Sequence, residues 1–372
     1  MLKSFTAAAA AISLAAIASA DYTPIAWGLA GGAPVGRYFT RTVDISADGL
    51  TFVGQLDNGD FRYVSPTANL GFAGTAGVLG MSTDGARIVG GTLSTPPAQW
   101  LPATAVSNTM TSSPLPQPAG SNLLGQAYHI AANGTYGMVA STTHIWAVNG
   151  SSRTNVSQLI TTQGGSSGAY RGIADDAPVA IMLASFSGNN TNMYRINYAT
   201  GAVQALNLLP GATHGDAGNH AISRDGTIIG GNVNISSLGR PCWWDASGTA
   251  HLIPNYTNAF TNYFGGMTAL NLTGTLGGGG ISGPGVPSRA FLYHFATDTT
   301  LDLNQVYASL LPAGWRLTTT QHISDDGSRI YCLAVGPDNV TRSVILTGSI
   351  PAPGAAGALA LGLCASLRRR RK

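Results

Sequence analysis

The feature of this sequence that most constrains its fold is a short phrase that recurs along the chain. The phrase is an apolar residue, Ser, any residue, Asp and Gly, followed by an apolar–Gly run, and three of its seven copies are degenerate. The copies begin, in chain order, at Ile45, Met81, Ile130, Ile173, Ile222, Leu270 and Ile323. They are 36 to 53 residues apart, a loose period that is typical of repeat architectures. We therefore expect seven similar structural units.

Each unit reads as four short strands. The Asp-Gly pair supplies residues that tolerate positive φ in a tight turn, and the β-branched runs on both sides predict a hairpin. An aromatic strand follows most copies, such as Cys242–Trp244, and then a further apolar segment, such as Ala250–Ile253. Four strands per unit predict an all-β fold, a seven-bladed β-propeller, in which Pro24–Leu29 completes the last blade. A parallel β-solenoid is the alternative.

Composition supports a β fold and removes one class of partner. The chain has no Glu, and the body from Asp21 to Ser349 has no Lys, although both residues usually fill exposed helix surfaces. The body holds 13 Arg against 16 Asp, a net charge of −3, so the sequence pI of about 8.8 comes from the two ends. We therefore expect no nucleic-acid partner.

The N-terminal end reads as a secretory signal peptide, residues 1–20. Lys3 precedes an apolar stretch, and Ala18-Ser19-Ala20 has the small-residue pattern of a signal-peptidase site, with cleavage expected after Ala20. The stretch is shorter than a stable membrane span requires. Residues 21–349 are then the repeat domain, which is expected to be exported.

The C-terminal end, residues 350–372, combines a Pro-rich break, a short apolar segment and a basic cluster. Its motif residues are Pro351, Ala352, Pro353 and Gly354, and its terminal cations include Arg368, Arg369, Arg370 and Arg371. The apolar segment from Ala355 to Leu367 suits transient membrane residence, with the cations held on the cytoplasmic side. The order of parts predicts a sorting tail.

This tail resembles the PEP-CTERM sorting signals, in a variant that reads Pro-Ala-Pro-Gly. The resemblance implies a Gram-negative bacterium, recognition by an exosortase-type processing enzyme, and delivery to the cell surface or extracellular matrix. The repeats resemble extracellular HAF-type repeats, with Arg289–Tyr293 nearest to that family's second element. That resemblance implies an extracellular location and no defined activity.

Few residues suggest chemistry. His214, Asp216 and His220 form a weak candidate metal cluster, three possible ligands within seven residues, against which ordinary surface polarity is the favoured interpretation. Gly164–Gly168 matches G-x-S-x-G but has no predicted helix after it, so we interpret it as a loop. We therefore predict no catalytic residues, no metal site and no cofactor.

Two histidines share one repeat position. His129 and His322 lie just before the first apolar residue of their hairpins, where Asp44 lies in the first unit. If that strand is innermost, these side chains face a central channel; simple repeat equivalence without a shared role is the favoured interpretation.

Together, these features predict an exported surface or matrix protein whose propeller is a non-catalytic interaction module. Its expected partners are the processing enzyme, extracellular polysaccharide or surface proteins, and transiently the inner membrane. The alternative is a secreted propeller enzyme, a polysaccharide lyase or hydrolase.

Overall fold

The protein is a ring of seven antiparallel sheets, a seven-bladed β-propeller, as the repeat predicts. The computed structural model describes residues 22–73, 77–92, 95–106, 108–116, 124–131, 133–140, 144–149, 152–186, 192–254 and 263–349. The predicted signal peptide and the predicted sorting tail lie outside these residues. Among the residues described, no helix is long and apolar enough to span a membrane.

The first four blades follow one another in chain order, each starting with its innermost strand. Blade 1 contains β2 (Phe39–Ile45), β3 (Phe52–Leu56), β4 (Phe61–Val64), β5 (Asn69–Phe72) and β9 (Thr109–Met110). Blade 2 contains β6 (Gly77–Met81), β7 (Ile88–Gly91), β8 (Ala98–Trp100) and β10 (Ser113–Pro114). Blade 3 contains β11 (Gln126–Ile130), β12 (Tyr136–Ala140), β13 (His144–Asn149) and β14 (Ser152–Asn155). Blade 4 contains β15 (Gly165–Ile173), β16 (Val179–Phe186), β17 (Asn192–Asn197) and β18 (Ala202–Ala205).

The last three blades complete the ring, and three short helical turns lie between strands. Blade 5 contains β19 (Ala212–Ile222), β20 (Ile229–Ile235), β21 (Leu238–Trp244) and β22 (Ala250–Leu252). Blade 6 contains β23 (Phe264–Leu270), β24 (Leu276–Gly283), β25 (Val286–His294) and β26 (Thr299–Asp302). Blade 7 contains β27 (Arg316–Ile323), β28 (Arg329–Val335), β29 (Thr341–Ser349) and β1 (Thr23–Leu29). The helical turns are a 3-10 helix (Pro102–Thr104), α1 (Val156–Thr161) and α2 (Leu303–Val306).

The N-terminal strand closes the ring, which confirms the predicted completion of the last blade. β1 pairs antiparallel with β29 in a register that joins Thr23 to Ser349 and Leu29 to Val344. Tyr22, just before β1, is buried, and its hydroxyl lies 3.1 Å from that of Tyr307. Strand pairing and aromatic packing thus cover an edge that would otherwise be exposed.

Blade 1 also borrows a strand from the segment that follows β8. β9 pairs in parallel with β5, and the backbone N–H of Gly71 donates to the carbonyl of Asn108 at 2.9 Å. The side chain of Met110 is fully buried beneath this addition. The repeat did not predict this parallel pairing, because the segment contains no copy of the phrase.

The hydrophobic core lies between the blades. In one such layer Ile181 and Met193 of blade 4 pack in the same cluster as Trp244 of blade 5. All three are buried, and the indole N–H of Trp244 donates to the carbonyl of Asn207 at 2.8 Å. Alternate residues of each strand therefore fill the space between neighbouring blades.

The Ser-x-Asp-Gly phrase forms one turn geometry that four blades repeat. In blade 1 the Ser46 hydroxyl donates to the Asp48 carboxylate at 2.6 Å and accepts from the Thr51 N–H at 3.0 Å. The Gly49 N–H closes the turn on the Ser46 carbonyl at 2.9 Å. The other three copies with the full phrase show the same hydroxyl-to-carboxylate bond, at Ser82, Ser223 and Ser324.

The prediction that Asp and Gly share positive φ was wrong for the Asp. Only the Gly has positive φ in these turns, +64° at Gly49 and +69° at Gly327. The Asp is the third residue of a type I-like turn, a position with negative φ. Its carboxylate accepts hydrogen bonds from the Ser hydroxyl and from a backbone N–H of the turn. The Asp is therefore a turn acceptor rather than a residue chosen for its backbone conformation.

Candidate functional site: the central channel

A β-bulge interrupts the innermost strand of six of the seven blades at the same place. The register shifts lie between Thr42 and Asp44, Val78 and Gly80, Ala127 and His129, Tyr170 and Gly172, Met267 and Ala269, and Thr320 and His322. In blade 5 the irregular stretch runs from Ala217 to Ile222. A bulge inserts an unpaired residue and re-aims side chains, so it alters which residues line the channel.

The residues skipped by these bulges line a cavity in the half of the channel where the inner strands begin. They are Val43, Leu79, Tyr128, Arg171, Thr268 and Gln321. The cavity has a volume of ≈ 330 Å³, within the range of small-molecule sites. We call it the wide cavity. Its lining also includes Arg41, Tyr170, Thr319, His129 and His322.

The wide cavity is rich in hydrogen-bond donors. The Gln321 side-chain oxygen accepts from the backbone N–H of Thr42 at 3.1 Å, which fixes the amide orientation and leaves the NH₂ group without a recorded acceptor in the described structure. The Arg41 Nε donates to Gln55 at 2.9 Å, and its terminal nitrogens have no partner among the described residues. None of the described residues that line the cavity carries a carboxylate.

Arg171 is the second arginine of the wide cavity and is held by an acid. Its Nε and one terminal nitrogen donate to the two carboxylate oxygens of Asp216, at 2.7 and 3.0 Å. A two-point contact of this kind fixes the plane of the guanidinium group. Arg171 is thereby oriented on the wall contributed by blade 4.

Two histidine–aspartate pairs lie deeper in the channel. The His129 Nε2 is 3.6 Å from Asp175, and the His322 Nδ1 is 3.9 Å from Asp44. All four side chains are buried. The two histidines therefore do lie at the channel, as the less favoured interpretation of their repeat position held.

The two histidines have opposite electrostatic environments. Burial lowers the pKa of His129. The neighbouring Asp175 carboxylate and the more distant Asp44 raise it, and their combined effect is larger than that of burial, so the pKa lies above 6.5. Burial has the larger effect at His322 and lowers its pKa below 6.5. Asp44 opposes this less strongly, because it is farther away and its carboxylate oxygens accept hydrogen bonds from the N–H groups of Ile45 and Met81. At neutral pH His322 is therefore the more weakly basic of the two.

The other end of the channel is crossed by an arginine. Arg224, at the x position of the blade 5 phrase, lies 3.5 Å from Asp176 of blade 4 and 3.1 Å from Asp325 of blade 7. Behind it is a second cavity of ≈ 50 Å³, lined in part by Asp175. Both Asp175 carboxylate oxygens are buried without a hydrogen-bond partner among the described groups.

The turns around this end are joined from blade to blade. The backbone N–H of Ala47 donates to the Thr83 carbonyl at 2.8 Å, and that of Arg224 donates to the Leu272 carbonyl at 2.8 Å. The Asp325 N–H in turn donates to Ala47 at 2.7 Å. We call this the turn rim. The repeat phrase therefore builds the rim as well as the hairpins.

The candidate metal residues His214, Asp216 and His220 all lie in strand β19, where the described side chains have other hydrogen-bond partners. Asp216 binds Arg171, and the two ring nitrogens of His214 lie 3.3 Å from Thr213 and from Asn234. The side chain of His220 lies outside the described residues. No group of three or more His, Cys, Asp or Glu residues suited to a metal is found in the part of the chain that the structure describes.

The G-x-S-x-G match has the reverse of the arrangement that a nucleophile requires. The helix α1 precedes Gly164, and strand β15 begins at Gly165. A nucleophile elbow needs the strand before the serine and the helix after it. The prediction of a loop over Gly164–Gly168 was wrong for all but Gly164, because Gly165 to Gly168 form the start of β15.

Sequence reasoning missed Arg41, Arg171, Gln321 and Asp175 as channel residues. The signal that finds three of them is alignment of the seven phrases. Arg171 and Gln321 stand two positions before the first apolar residue, and Asp175 stands two positions after it. These two positions of the repeat, rather than the Asp-Gly pair, identify the channel lining.

Comparisons with known proteins support no family assignment. No family model matches the chain, and no curated protein matches it. Among solved structures, it is similar to hydrazine synthase of Kuenenia stuttgartiensis at 14% identity and a TM-score of 0.49, over 85% of this chain and 98% of that one. It is similar to YCF48 bound to a D1 peptide at 13% identity and a TM-score of 0.48, over 90% and 98%. It is also similar to an oligogalacturonate lyase in complex with manganese at 11% identity and a TM-score of 0.41, over 83% and 76%.

Proposed function

We propose that the protein is an exported surface or matrix component of a Gram-negative bacterium, in which the propeller is a non-catalytic interaction module. An exosortase-type system delivers it by processing the tail that contains Pro351 to Gly354. The resemblance of that tail to PEP-CTERM signals supports the delivery route. The donor-lined channel supports the interaction role.

The observation that carries the proposal is where the folded ring ends. Strand β29 ends at Ser349, and β1 supplies the outermost strand of blade 7, so every blade is complete before the tail begins. Cleavage near Pro351 would then release a closed propeller without removing a strand from it. A sorting tail that can be removed without loss of fold is what processing at the membrane requires.

The experiment replaces Pro351–Gly354 with Ser-Ala-Ser-Ala in the full chain. We expect the variant to stay in the cell envelope at the higher mass of the unprocessed protein, whereas the natural sequence reaches the surface at lower mass. Fractionation and intact-mass measurement report both. The matched control replaces Pro337, in a turn of the propeller, with Ser and should be delivered normally.

An unchanged mass and distribution would remove the sorting part of the proposal. The non-catalytic part is tested separately, by incubating the purified protein with a panel of acidic and neutral polysaccharides, with and without EDTA. We expect no change in polymer size. Reproducible cleavage would show an enzyme instead.

A further inference from the structure

We propose that the wide cavity binds the carboxylated sugar residue of an acidic saccharide, a hexuronate. This inference deepens the proposed interaction role and rests on it for its biological setting.

The wide cavity differs in charge from the rest of the domain. The body of the chain is net negative, with 13 Arg against 16 Asp, yet the described residues that line the cavity include Arg41 and Arg171 and no acid. Asp216 neutralises Arg171, whereas the terminal nitrogens of Arg41 have no partner among the described residues. The described lining therefore carries one unneutralised cation, Arg41, in a domain of net negative charge, and this favours an anion. The other nearby acids, Asp44 and Asp175, lie below the cavity, each paired with a histidine.

The hydrogen-bonding groups of Arg41 and Gln321 that remain available are donors. Gln321 uses its oxygen on Thr42 N–H, so it offers N–H groups to a ligand, as Arg41 does. Arg41 of blade 1 and Gln321 of blade 7 both line the wide cavity, and the backbone N–H that Gln321 accepts belongs to the residue after Arg41. A planar carboxylate, with two acceptor oxygens, fits adjacent guanidinium and amide donors.

The remaining wall contains aromatic residues and a hydroxyl group. Tyr128 and Tyr170 belong to the lining, with ring centroids 5.9 Å apart, and Thr319 adds a hydroxyl. The Tyr170 ring packs against Gly137 in the core between blades 3 and 4, so Tyr128 is the less buried of the two rings. A volume of ≈ 330 Å³ accommodates one sugar ring rather than a polymer segment. Aromatic faces and hydroxyl groups suit a hydroxylated ring, so an acidic sugar satisfies more of this lining than a simple anion such as phosphate.

The wide cavity is closed at its inner end. The buried His129–Asp175 and His322–Asp44 pairs lie below the wide cavity, and Arg224 crosses the turn rim beyond them. A chain of sugars therefore cannot thread through the ring, and the site accepts a free monosaccharide or the end of a chain.

The test is calorimetric titration of the full chain with D-glucuronate and D-galacturonate, and with their neutral counterparts D-glucose and D-galactose. We expect at least one acid to bind and its neutral counterpart to bind at least about tenfold more weakly, because a charged hydrogen bond is lost. Uronate-terminated disaccharides form a further arm. Binding of the free sugar assigns the site to small molecules, and binding only of the disaccharide assigns it to chain ends; both support the proposal.

The variants are Arg41→Gln and Gln321→Glu, with Arg153→Gln as the control. Gln321→Glu keeps an acceptor for Thr42 but places a carboxylate against the ligand, so both channel variants should weaken binding at least about tenfold. Arg153 is exposed on the outer strand β14 and should not matter. Thermal melts confirm that each variant is folded.

Equal binding of acid and neutral sugars, absence of binding to all of them, or unchanged affinity in both folded channel variants would overturn the inference. Normal processing of the tail alongside any of these outcomes would leave the delivery proposal intact. Defective processing alongside tight, selective uronate binding would remove the delivery proposal and leave the binding proposal intact. The two proposals can therefore fail separately.

Discussion

The two ends of the channel are made from the same seven strands but differ in how they are built. At the turn rim the side chains are committed to one another: Ser hydroxyls to Asp carboxylates, backbone to backbone, and Arg224 to two acids. In the wide cavity the donors of Arg41 and Gln321 are held on one side and open on the other. The residues of the turn rim recur from blade to blade, whereas the residues that line the wide cavity differ between blades.

This difference shows how a repeat can vary in function while its fold is preserved. The phrase residues are those that make the turn, so changing them removes hydrogen bonds that support the ring. The bulged residues are unpaired in the sheet, so Arg, Gln, Thr, Tyr, Leu and Val all occupy that position. Stability and specificity thus depend on different columns of the same repeat.

The largest expected effect comes from removing β1, the strand that closes the ring. A chain that starts at residue 31 lacks β1 and the buried Tyr22, and should lose at least about 5 kcal/mol in the free energy of unfolding, since truncation of one large aromatic alone costs 3–5. Calorimetry against a chain that starts at residue 21 measures this. Equal melting temperatures would mean that ring closure does not contribute.

Next in size is a hydroxyl deletion at the turn rim compared with one in the wide cavity. Ser324→Ala removes a buried hydroxyl that bonds Asp326 at 2.7 Å and the Arg329 N–H at 3.0 Å, and should cost about 2 kcal/mol. Thr319→Ala should cost less than about 0.5 kcal/mol, as its hydroxyl has no recorded bond among the described residues. Urea denaturation distinguishes them, and similar losses would erase the contrast between the two ends.

A smaller effect is expected from Arg224→Gln, which removes the ion pairs that cross the rim. Arg224 is 39% exposed, so solvent screening limits the loss to about 1 kcal/mol at pH 8. Burial raises the pKa of Asp325, and Arg224 opposes that rise. A carboxyl with raised pKa destabilises the fold as pH increases through that pKa, so the variant should recover towards pH 4. Thermal melts at both pH values test this; a pH-independent loss would contradict it.

The smallest effect is the separation of the two histidines in titration. We expect His129 to titrate above 6.5 and His322 below it. His129 thus contributes stability that is fully present below pH 6.5 and is lost as pH rises through its folded pKa. His322 contributes stability that is present above pH 6.5 and is lost as pH falls through its folded pKa. NMR of the imidazole protons measures both. Asp175→Asn should lower the pKa of His129 and spare that of His322.

The sequence was sufficient for the ring and insufficient for its lining. The phrase fixes strand direction at seven places, and a leftover strand at Pro24–Leu29 indicated closure that the register from Thr23 confirms. The pairing of His129 with Asp175 joins neighbouring blades, and no local pattern encodes such contacts. The bulges likewise depend on sheet curvature, so the position of Arg171 in the channel follows only from the folded ring.

The pairing of Thr23 with Ser349 has a consequence for presentation. The Gly348 N–H donates to the Ser328 carbonyl at 3.0 Å, beside the turn that begins at Ser324, so both ends of the described domain leave the ring on the side of the turn rim. A tether attached at either end would therefore hold the ring by its closed face. The wide cavity, with Arg41 and Gln321, would then face away from the point of attachment and towards the medium.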